Sequence, residues 1–174
     1  RFAGAGVRPG DRVAVEHPTF PPLLDLLDLL GAEVIGIDLD EQGMVPSGLA
    51  AALAAGATAV FLQPRAHNPT GITLTAQRGH ELAALLAHSD ALVVEDDHSG
   101  DIASGALVSL GKWLPQRTVH IRSYSKSHGP DLRLAAVGGA GDVVSAVANR
   151  RLLGPGWSSR ILQAVLLEML DHQP

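Results

Sequence analysis

The stretch ALVVEDDH, residues 91–98, joins a short, continuously apolar run to a cluster of acids and a histidine. A run of this kind is typical of a strand that is covered on both faces, at the centre of a parallel sheet. Residues 58–63 form a second such run and predict another central strand. Ligands of open parallel sheets bind beyond the carboxyl ends of the strands. The residues that follow each strand are therefore the first place to look for a function.

Strand and helix patterns alternate on both sides of these two runs. Ser47 and Thr75 stand where side chains cap helix N-termini. The alternation predicts an α/β layered domain with a largely parallel sheet. Strands are predicted at 12–16, 33–38, 58–63, 91–95, 118–122 and 134–139, and helices at 21–30, 47–55, 75–88, 143–152 and 158–170.

The composition excludes several classes of function. The chain has 174 residues, 46% apolar and 18% charged, which suits one folded domain. Its net charge of -5 argues against a nucleic-acid-binding surface in this segment. The absence of cysteine excludes disulfides and thiolate chemistry, and no histidine pair has a zinc-binding spacing, so no metal site is predicted. No apolar run could span a bilayer and no signal peptide opens the chain, so we expect a cytoplasmic protein without a membrane partner.

Polar or aromatic residues follow four of the predicted strands. Because these strands are expected to run in parallel, the four segments should meet at one edge of the sheet. Each segment alone is a weak signal, but the set in this order is specific. The segments are His17-Pro18-Thr19-Phe20, His67-Asn68-Pro69-Thr70-Gly71, Glu95-Asp96-Asp97-His98, and Ser123-Tyr124-Ser125-Lys126 with Arg133 seven residues later.

In these motifs the sequence resembles the pyridoxal-phosphate (PLP) proteins of the aspartate-aminotransferase fold, that is fold type I, aminotransferase class I/II. The resemblance runs from about residue 7 to the end. Residues 10–13, 18–20 and 95–97 are most similar to MocR-type transcriptional regulators, which join an N-terminal winged-helix domain of the GntR kind to an aminotransferase-like domain. The matching motifs are Asn68-Pro69-Thr70-Gly71, Asp96-Asp97, Ser123-x-Ser125-Lys126 and Pro130-x-Leu132-Arg133.

This resemblance implies a three-layer α/β/α domain whose mostly parallel sheet has one antiparallel strand, at 134–139. It implies that residues 1–174 are a PLP-binding large domain truncated at both ends. The family's glycine-rich phosphate loop would precede Arg1, and its substrate-binding arginine would lie in a small domain beyond Pro174. The chain opens without an initiator Met, and we expect a piece of a longer protein. Family members are typically dimers, so the resemblance also implies a homodimer.

Lys126 matches the lysine on which the family forms its internal aldimine with PLP. It is one of only two lysines, the other being Lys112, and the alternative is an inert surface lysine. Asp96 matches the carboxylate that keeps the pyridine nitrogen protonated. Residues i and i+2 of a strand point the same way, so His98 can face the ring beside Asp96. Asp97 should point away, as a paired or exposed acid.

His98 departs from the family, which usually has tyrosine here as a donor to the ring's phenolic oxygen. An imidazole can donate as well, although it could instead cap the strand end without touching a ligand. The resemblance assigns Asn68 to the same oxygen and Phe20 to stacking on the ring. It assigns the phosphate to Arg133 and Ser123, with Ser125 as a further candidate. The alternatives are a tight loop at 68–71, a core phenylalanine and a surface ion pair of Arg133.

Three functions are compatible with these motifs. The first is the effector domain of a regulator that holds PLP on Lys126 and senses an amine or amino acid, with DNA bound by another domain. The second is an active PLP-dependent aminotransferase. The third is a folded remnant that does not hold PLP. The intact set of Lys126, Asp96 and Arg133 argues against the third, and the MocR-like motifs together with His98 favour the first.

Overall fold

Strands and helices alternate along most of the chain. The computed structural model describes residues 7–154 and 156–172. Their order is β1 (Arg12–His17), α1 (Pro21–Leu29), β2 (Glu33–Asp40), β3 (Gly43–Met44), α2 (Pro46–Ala54), β4 (Ala57–Leu62), α3 (Ala76–Leu86), β5 (Leu92–Asp97), β6 (Thr118–Ser123), β7 (Ala135–Gly139), α4 (Gly141–Arg151) and α5 (Arg160–Asp171). The predicted alternation is confirmed.

The strands of the described residues form one seven-stranded sheet in the order β3-β2-β1-β4-β5-β6-β7. The five strands from β2 to β6 are parallel, and β7 is antiparallel to β6, as expected for 134–139. β4 lies at the centre with β5 beside it, in agreement with their continuous apolar runs. A second antiparallel strand, β3, pairs with β2. Its two residues are too few to produce a periodic pattern, and it was not predicted.

Apolar side chains cover both faces of the sheet. On one face, Val60 and Val93 pack in a core cluster with Leu49 of α2 and Leu82 of α3. On the other face, Val13, Val15 and Ala59 pack with Leu27 of α1, and Val119 packs with Val143 of α4. Because neighbouring strand residues point to opposite faces, each central strand contributes side chains to the packing on both faces of the sheet. The result is the predicted three-layer α/β/α arrangement.

The first residues of two helices were predicted from capping residues, and the structure confirms one of these predictions and contradicts the other. Thr75 caps α3 as predicted, since its hydroxyl accepts a hydrogen bond from the backbone N–H of Arg78 at 3.2 Å. Ser47 does not cap α2, which begins one residue earlier at Pro46, with Val45 before it and no side-chain cap. Proline is preorganised for the first helical position because its φ is fixed. The prediction of a Ser47 cap was therefore wrong by two residues, because the cap position is Val45.

β7 forms one end of the sheet, and all five of its residues are exposed. Within the described residues it pairs only with β6, so its outer edge has no strand partner among them. Among the helices of the part described, none is long and apolar enough to cross a membrane.

Candidate functional site

The carboxyl ends of four neighbouring strands meet at one edge of the sheet. β1, β4, β5 and β6 are adjacent and parallel, so the segments that follow them leave the sheet on the same side. These are the four segments that the sequence analysis selected. The sheet order therefore brings the segments around Phe20, Asn68, Asp96 and Lys126 to the edge where parallel sheets bind ligands.

A cavity of about 250 Å³ opens at this edge, on the face of the sheet that carries α1. Phe20 and Asp96 both line it, together with Gln63. Most of the remaining wall is apolar and includes Leu23 and Ile121. A planar aromatic ligand suits such a site, because apolar walls cover its faces while a few polar groups fix its orientation.

Asp96 is held by an amide rather than by a cation. The side-chain Nε2 of Gln63 donates to Asp96 Oδ2 at 3.0 Å. The same amide accepts, through Oε1, a hydrogen bond from the backbone N–H of Asn68 at 2.7 Å. Asp96 and the Asn68 loop, two predicted parts of the site, are thus joined through one residue.

His98 lies close enough to Asp96 and Lys126 for the charges of both residues to affect its pKa. Burial lowers the pKa of His98, the charge of Lys126 lowers it further, and the carboxylates of Asp96 and Asp97 oppose this. The imidazole is therefore neutral at pH 7, with one nitrogen able to donate and the other able to accept. Its Nδ1 is buried and has no hydrogen-bond partner among the described residues.

The serines of the Ser-x-Ser-Lys motif continue the β6 strand end. The register pairs Asp97 with Arg122, so the next residue, Ser123, lies beside His98 and on the same face as Asp96. The Ser123 hydroxyl accepts a hydrogen bond from the backbone N–H of Ser125 at 3.4 Å. Lys126 is exposed, and its amine makes no ion pair within the ranges 7–154 and 156–172.

Arg133 is not joined to the other candidates by any direct contact. It is exposed, it lies between the buried side chains of Leu132 and Leu134, and no described residue forms an ion pair with it. Its backbone is left-handed, with φ of 47°, which is uncommon for a residue other than glycine. No side chain of the described residues therefore neutralises the charge of Arg133.

Asp97 is the buried acid of a separate network on the opposite face. Arg65 donates to its two oxygens at 2.8 and 2.7 Å, and Arg122 donates at 2.7 Å. Burial alone would raise the pKa of Asp97, but these guanidinium groups and the Gly100 N–H, at 3.1 Å, hold it well below its usual range. Asp97 is thus a paired structural acid that points away from Asp96, as predicted.

Two buried groups near the site were not predicted as part of it. Glu16 Oε2 accepts the backbone N–H of Gln63 at 2.7 Å and lies 3.4 Å from Nε2 of His67. Burial raises the pKa of Glu16 to about 8, against the effect of the Gln63 N–H. Burial lowers the pKa of His67 to about 4, and His98, when it is protonated, lowers it further. Both are neutral at pH 7, so their contact is not an ion pair.

One signal for Glu16 was available in the sequence, since it is a carboxylate that directly follows the apolar run Val13-Ala14-Val15. Gln63 carried no comparable signal. Its role depends on the register of β4 against β5, which pairs Leu62 with Glu95 and so brings Gln63 beside Asp96.

Comparison with known proteins gives the class to which this chain belongs. The family profile "Aminotransferase class I and II" matches residues 2–174, and the chain belongs to that family, whose members depend on PLP. The aspartate aminotransferase of Rhodobacter sphaeroides superposes with a TM-score of 0.88 over 98% of this chain and 47% of its own, at 24% identity. This likeness confirms the predicted fold.

The sequence relatives include both transcriptional regulators and enzymes. The "Vitamin B6 salvage pathway transcriptional repressor PtsJ" of Salmonella typhimurium is 40% identical over 177 residues, which are 98% of this chain and 40% of PtsJ. The "HTH-type transcriptional regulator TauR" of Rhodobacter capsulatus is 36% identical over 144 residues, 80% of this chain and 28% of TauR. The chain thus spans about two fifths of PtsJ and less of TauR. These relatives confirm the predicted resemblance to the aminotransferase-like domain of MocR/GntR-type regulators.

Proposed function

We propose that this chain is the PLP-binding, aminotransferase-like effector domain of a MocR/GntR-type transcriptional regulator, which holds the cofactor on Lys126 and senses an amine or amino acid. The observation that carries the proposal is the position of His98 at this edge of the sheet, close enough to both Lys126 and Asp96 for their charges to act on it. A primary amine, a carboxylate and a neutral imidazole form a donor set that fits PLP.

The described residues leave polar groups ready for such a ligand. The buried Nδ1 of His98 has no partner in the described ranges, and a buried polar atom without a partner is costly unless a ligand satisfies it. When bound, PLP supplies an aldehyde for a lysine amine and a ring that accepts electrons. In this proposal Asp96 accepts the ring N–H, while Asn68 and His98 face the phenolic oxygen. Phe20, 40% exposed at the cavity, packs on the ring.

The phosphate end of the proposed site consists of Ser123, Ser125 and Arg133. A phosphate needs fixed positive charge and hydroxyl or backbone donors. Arg133 is an exposed cation without an ion-pair partner among the residues described, and it keeps a left-handed backbone between two buried leucines. Strained conformations of this kind persist where the surroundings fix them, often at ligand sites. We propose that Arg133 is held there to bind the phosphate.

The organisation of the whole protein belongs to the same proposal. We propose that residues 1–174 belong to the large PLP-binding domain, and that the small domain and the DNA-binding domain are formed by other parts of the protein. The net charge of -5 supports DNA binding through another part of the protein rather than through this one. The partners proposed are a small amine or amino acid and a second copy of the chain.

A second candidate is an active aminotransferase. It is favoured by similarity to enzymes as well as regulators, since "Aminotransferase swnA" of Metarhizium robertsii is 30% identical over 179 residues, 92% of this chain. The two candidates share their first steps at Lys126. The two candidates are distinguished by incubating the intact protein with an amino acid and a keto acid and measuring product. An active aminotransferase forms many equivalents of product per protein, and a sensor does not.

The proposed site is tested by the absorbance of the intact protein after addition of PLP. Wild-type protein should show the band of PLP bound to a lysine amine, and Lys126→Ala should not. The matched control is Lys112→Ala, which removes the other lysine of the chain, 5.4 Å from the ring of Trp113, and should leave the band intact. Identical spectra of wild type and Lys126→Ala would show that the assignment of Lys126 is wrong.

A further inference from the structure

We propose that Gln63 is a positioning residue of the cofactor site, whose side-chain amide fixes the Asp96 carboxylate and the Asn68 loop relative to each other. This inference rests on the proposed function and deepens it. Gln63 is neither a cation nor a group that the family motifs select, and the chain places it at the junction of three strand ends.

Three of the polar groups of Gln63 make hydrogen bonds: the backbone N–H and both ends of the side-chain amide. It is 7% exposed and follows β4 directly. Its Nε2 donates to Asp96 Oδ2 at 3.0 Å, its Oε1 accepts from the Asn68 N–H at 2.7 Å, and its own N–H donates to Glu16 Oε2 at 2.7 Å. A buried side chain with this many contacts has one orientation.

The backbone N–H of Asn68 decides which way the amide points. A backbone N–H can only donate, so the amide oxygen of Gln63 must face it. The NH₂ group then faces Asp96, whose Oδ2 accepts its hydrogen bond. Asp96 Oδ1 has no hydrogen-bond partner among the described residues. The amide thus holds one oxygen of Asp96 as an acceptor and leaves the other for the pyridine N–H of the ligand.

Glu16 supports this arrangement from the strand next to β4. It accepts the Gln63 N–H and is neutral at pH 7, because burial raises its pKa to about 8. A neutral acid anchors the Gln63 backbone without adding a second negative charge near Asp96. In this arrangement the carboxylate of Asp96, and not Glu16, would be the acid that interacts with the protonated pyridine ring of PLP.

Two isosteric variants separate this role from simple packing. Gln63→Met removes both side-chain hydrogen bonds. Gln63→Glu keeps an oxygen for the Asn68 N–H but replaces the donor that faces Asp96 with an acceptor. The matched control is Gln77→Glu, because Gln77 is exposed and its amide also donates to a carboxylate, that of Glu81, at 3.1 Å.

The intact protein is examined with and without PLP. Without PLP, hydrogen exchange of the Asn68 amide should speed up in Gln63→Met and stay slow in Gln63→Glu. With ¹⁵N-labelled PLP, the ring-nitrogen resonance of Gln63→Glu should move towards the unprotonated form, because two facing carboxyl groups share a proton and Asp96 then accepts less well from the ring N–H. The affinity of Gln63→Met for PLP should fall roughly tenfold to a hundredfold, the effect of losing a hydrogen bond to a charged group. Gln77→Glu should match wild type in all three.

The outcomes distinguish this inference from the proposed function. If wild type binds PLP but both Gln63 variants keep its affinity and ring-nitrogen resonance, Gln63 has no positioning role, and the proposed function stands. If Gln63→Met alone weakens binding and Gln63→Glu equals wild type, Gln63 only supports the loop, and its action on Asp96 is refuted. A wild-type protein that takes up no PLP refutes the proposed function, and the role of Gln63 with it.

Discussion

The free energy of unfolding of Glu16→Gln, taken relative to that of wild type, should be higher at neutral pH than at acid pH. Glu16 is 4% exposed, and burial raises its pKa from 4.5 to about 8. Between these values the folded protein keeps the proton and the unfolded chain releases it. The stability that the protonated Glu16 contributes is therefore complete below about pH 4.5 and is lost as pH rises towards 8. Glutamine resembles the protonated acid and does not titrate.

The size of the effect follows from linkage. Each pH unit in the window costs wild type about 1.4 kcal/mol. From pH 4.5 to pH 7 the advantage of Glu16→Gln in unfolding free energy should grow by about 3 kcal/mol. His67 has the opposite dependence, because its lowered pKa, about 4, adds stability as pH rises from 4 to 6.5. His67 is present in both proteins, so only the part of its titration that depends on its contact with residue 16 enters the difference.

The assay is urea-induced unfolding of wild type and Glu16→Gln at several pH values across this window. Glu41→Gln, a change of an exposed glutamate in the turn after β2, serves as the matched control and should follow wild type at every pH. Parallel curves for wild type and Glu16→Gln would show that Glu16 is ionised in the folded protein, and the account of a neutral buried acid beneath Gln63 would be wrong.

Three further changes test the structure around the site, each by urea-induced unfolding. Asp97→Asn should cost about 3–5 kcal/mol, since it leaves the buried guanidinium of Arg65 and the partly buried one of Arg122 without their shared acid, whereas Asp101→Asn, at an exposed partner, should cost at most about 1 kcal/mol. Gly100→Ala should destabilise by roughly 1–3 kcal/mol, because φ is +61° and the added Cβ would lie 2.6 Å from a guanidinium, while Gly138→Ala meets open space and should cost little. Thr75→Ala should cost about 1 kcal/mol through loss of the α3 cap. An Asp97→Asn protein as stable as Asp101→Asn, or a Gly100→Ala protein as stable as Gly138→Ala, would contradict the contacts described.

The layered fold was predictable because strong local signals agreed with the tertiary structure. The continuous apolar runs of β4 and β5 marked the sheet centre, and the alternation of elements gave the layers. β3 was missed because two residues carry no periodicity. Ser47 was misplaced as a cap because Pro46, the residue before it, begins α2.

The site was predictable only as a set of motifs. Side chains at the ends of different strands meet through strand order and register, which no local pattern encodes. Three hydrogen bonds depend on the pairing of β4 with β5 and with β1: Gln63 donates to Asp96 and to Glu16, and it accepts from the backbone N–H of Asn68. The proposed roles of Arg133 and of the two serines rest on the resemblance together with their placement, and they remain predictions.

The most direct test of the central claim is chemical capture of the cofactor. The intact protein is mixed with PLP, reduced with borohydride, digested and mapped by mass spectrometry. The account predicts one labelled peptide, containing Lys126, and no label on the peptide that contains Lys112. A label on Lys112 in place of Lys126, or no label on either lysine, would contradict it.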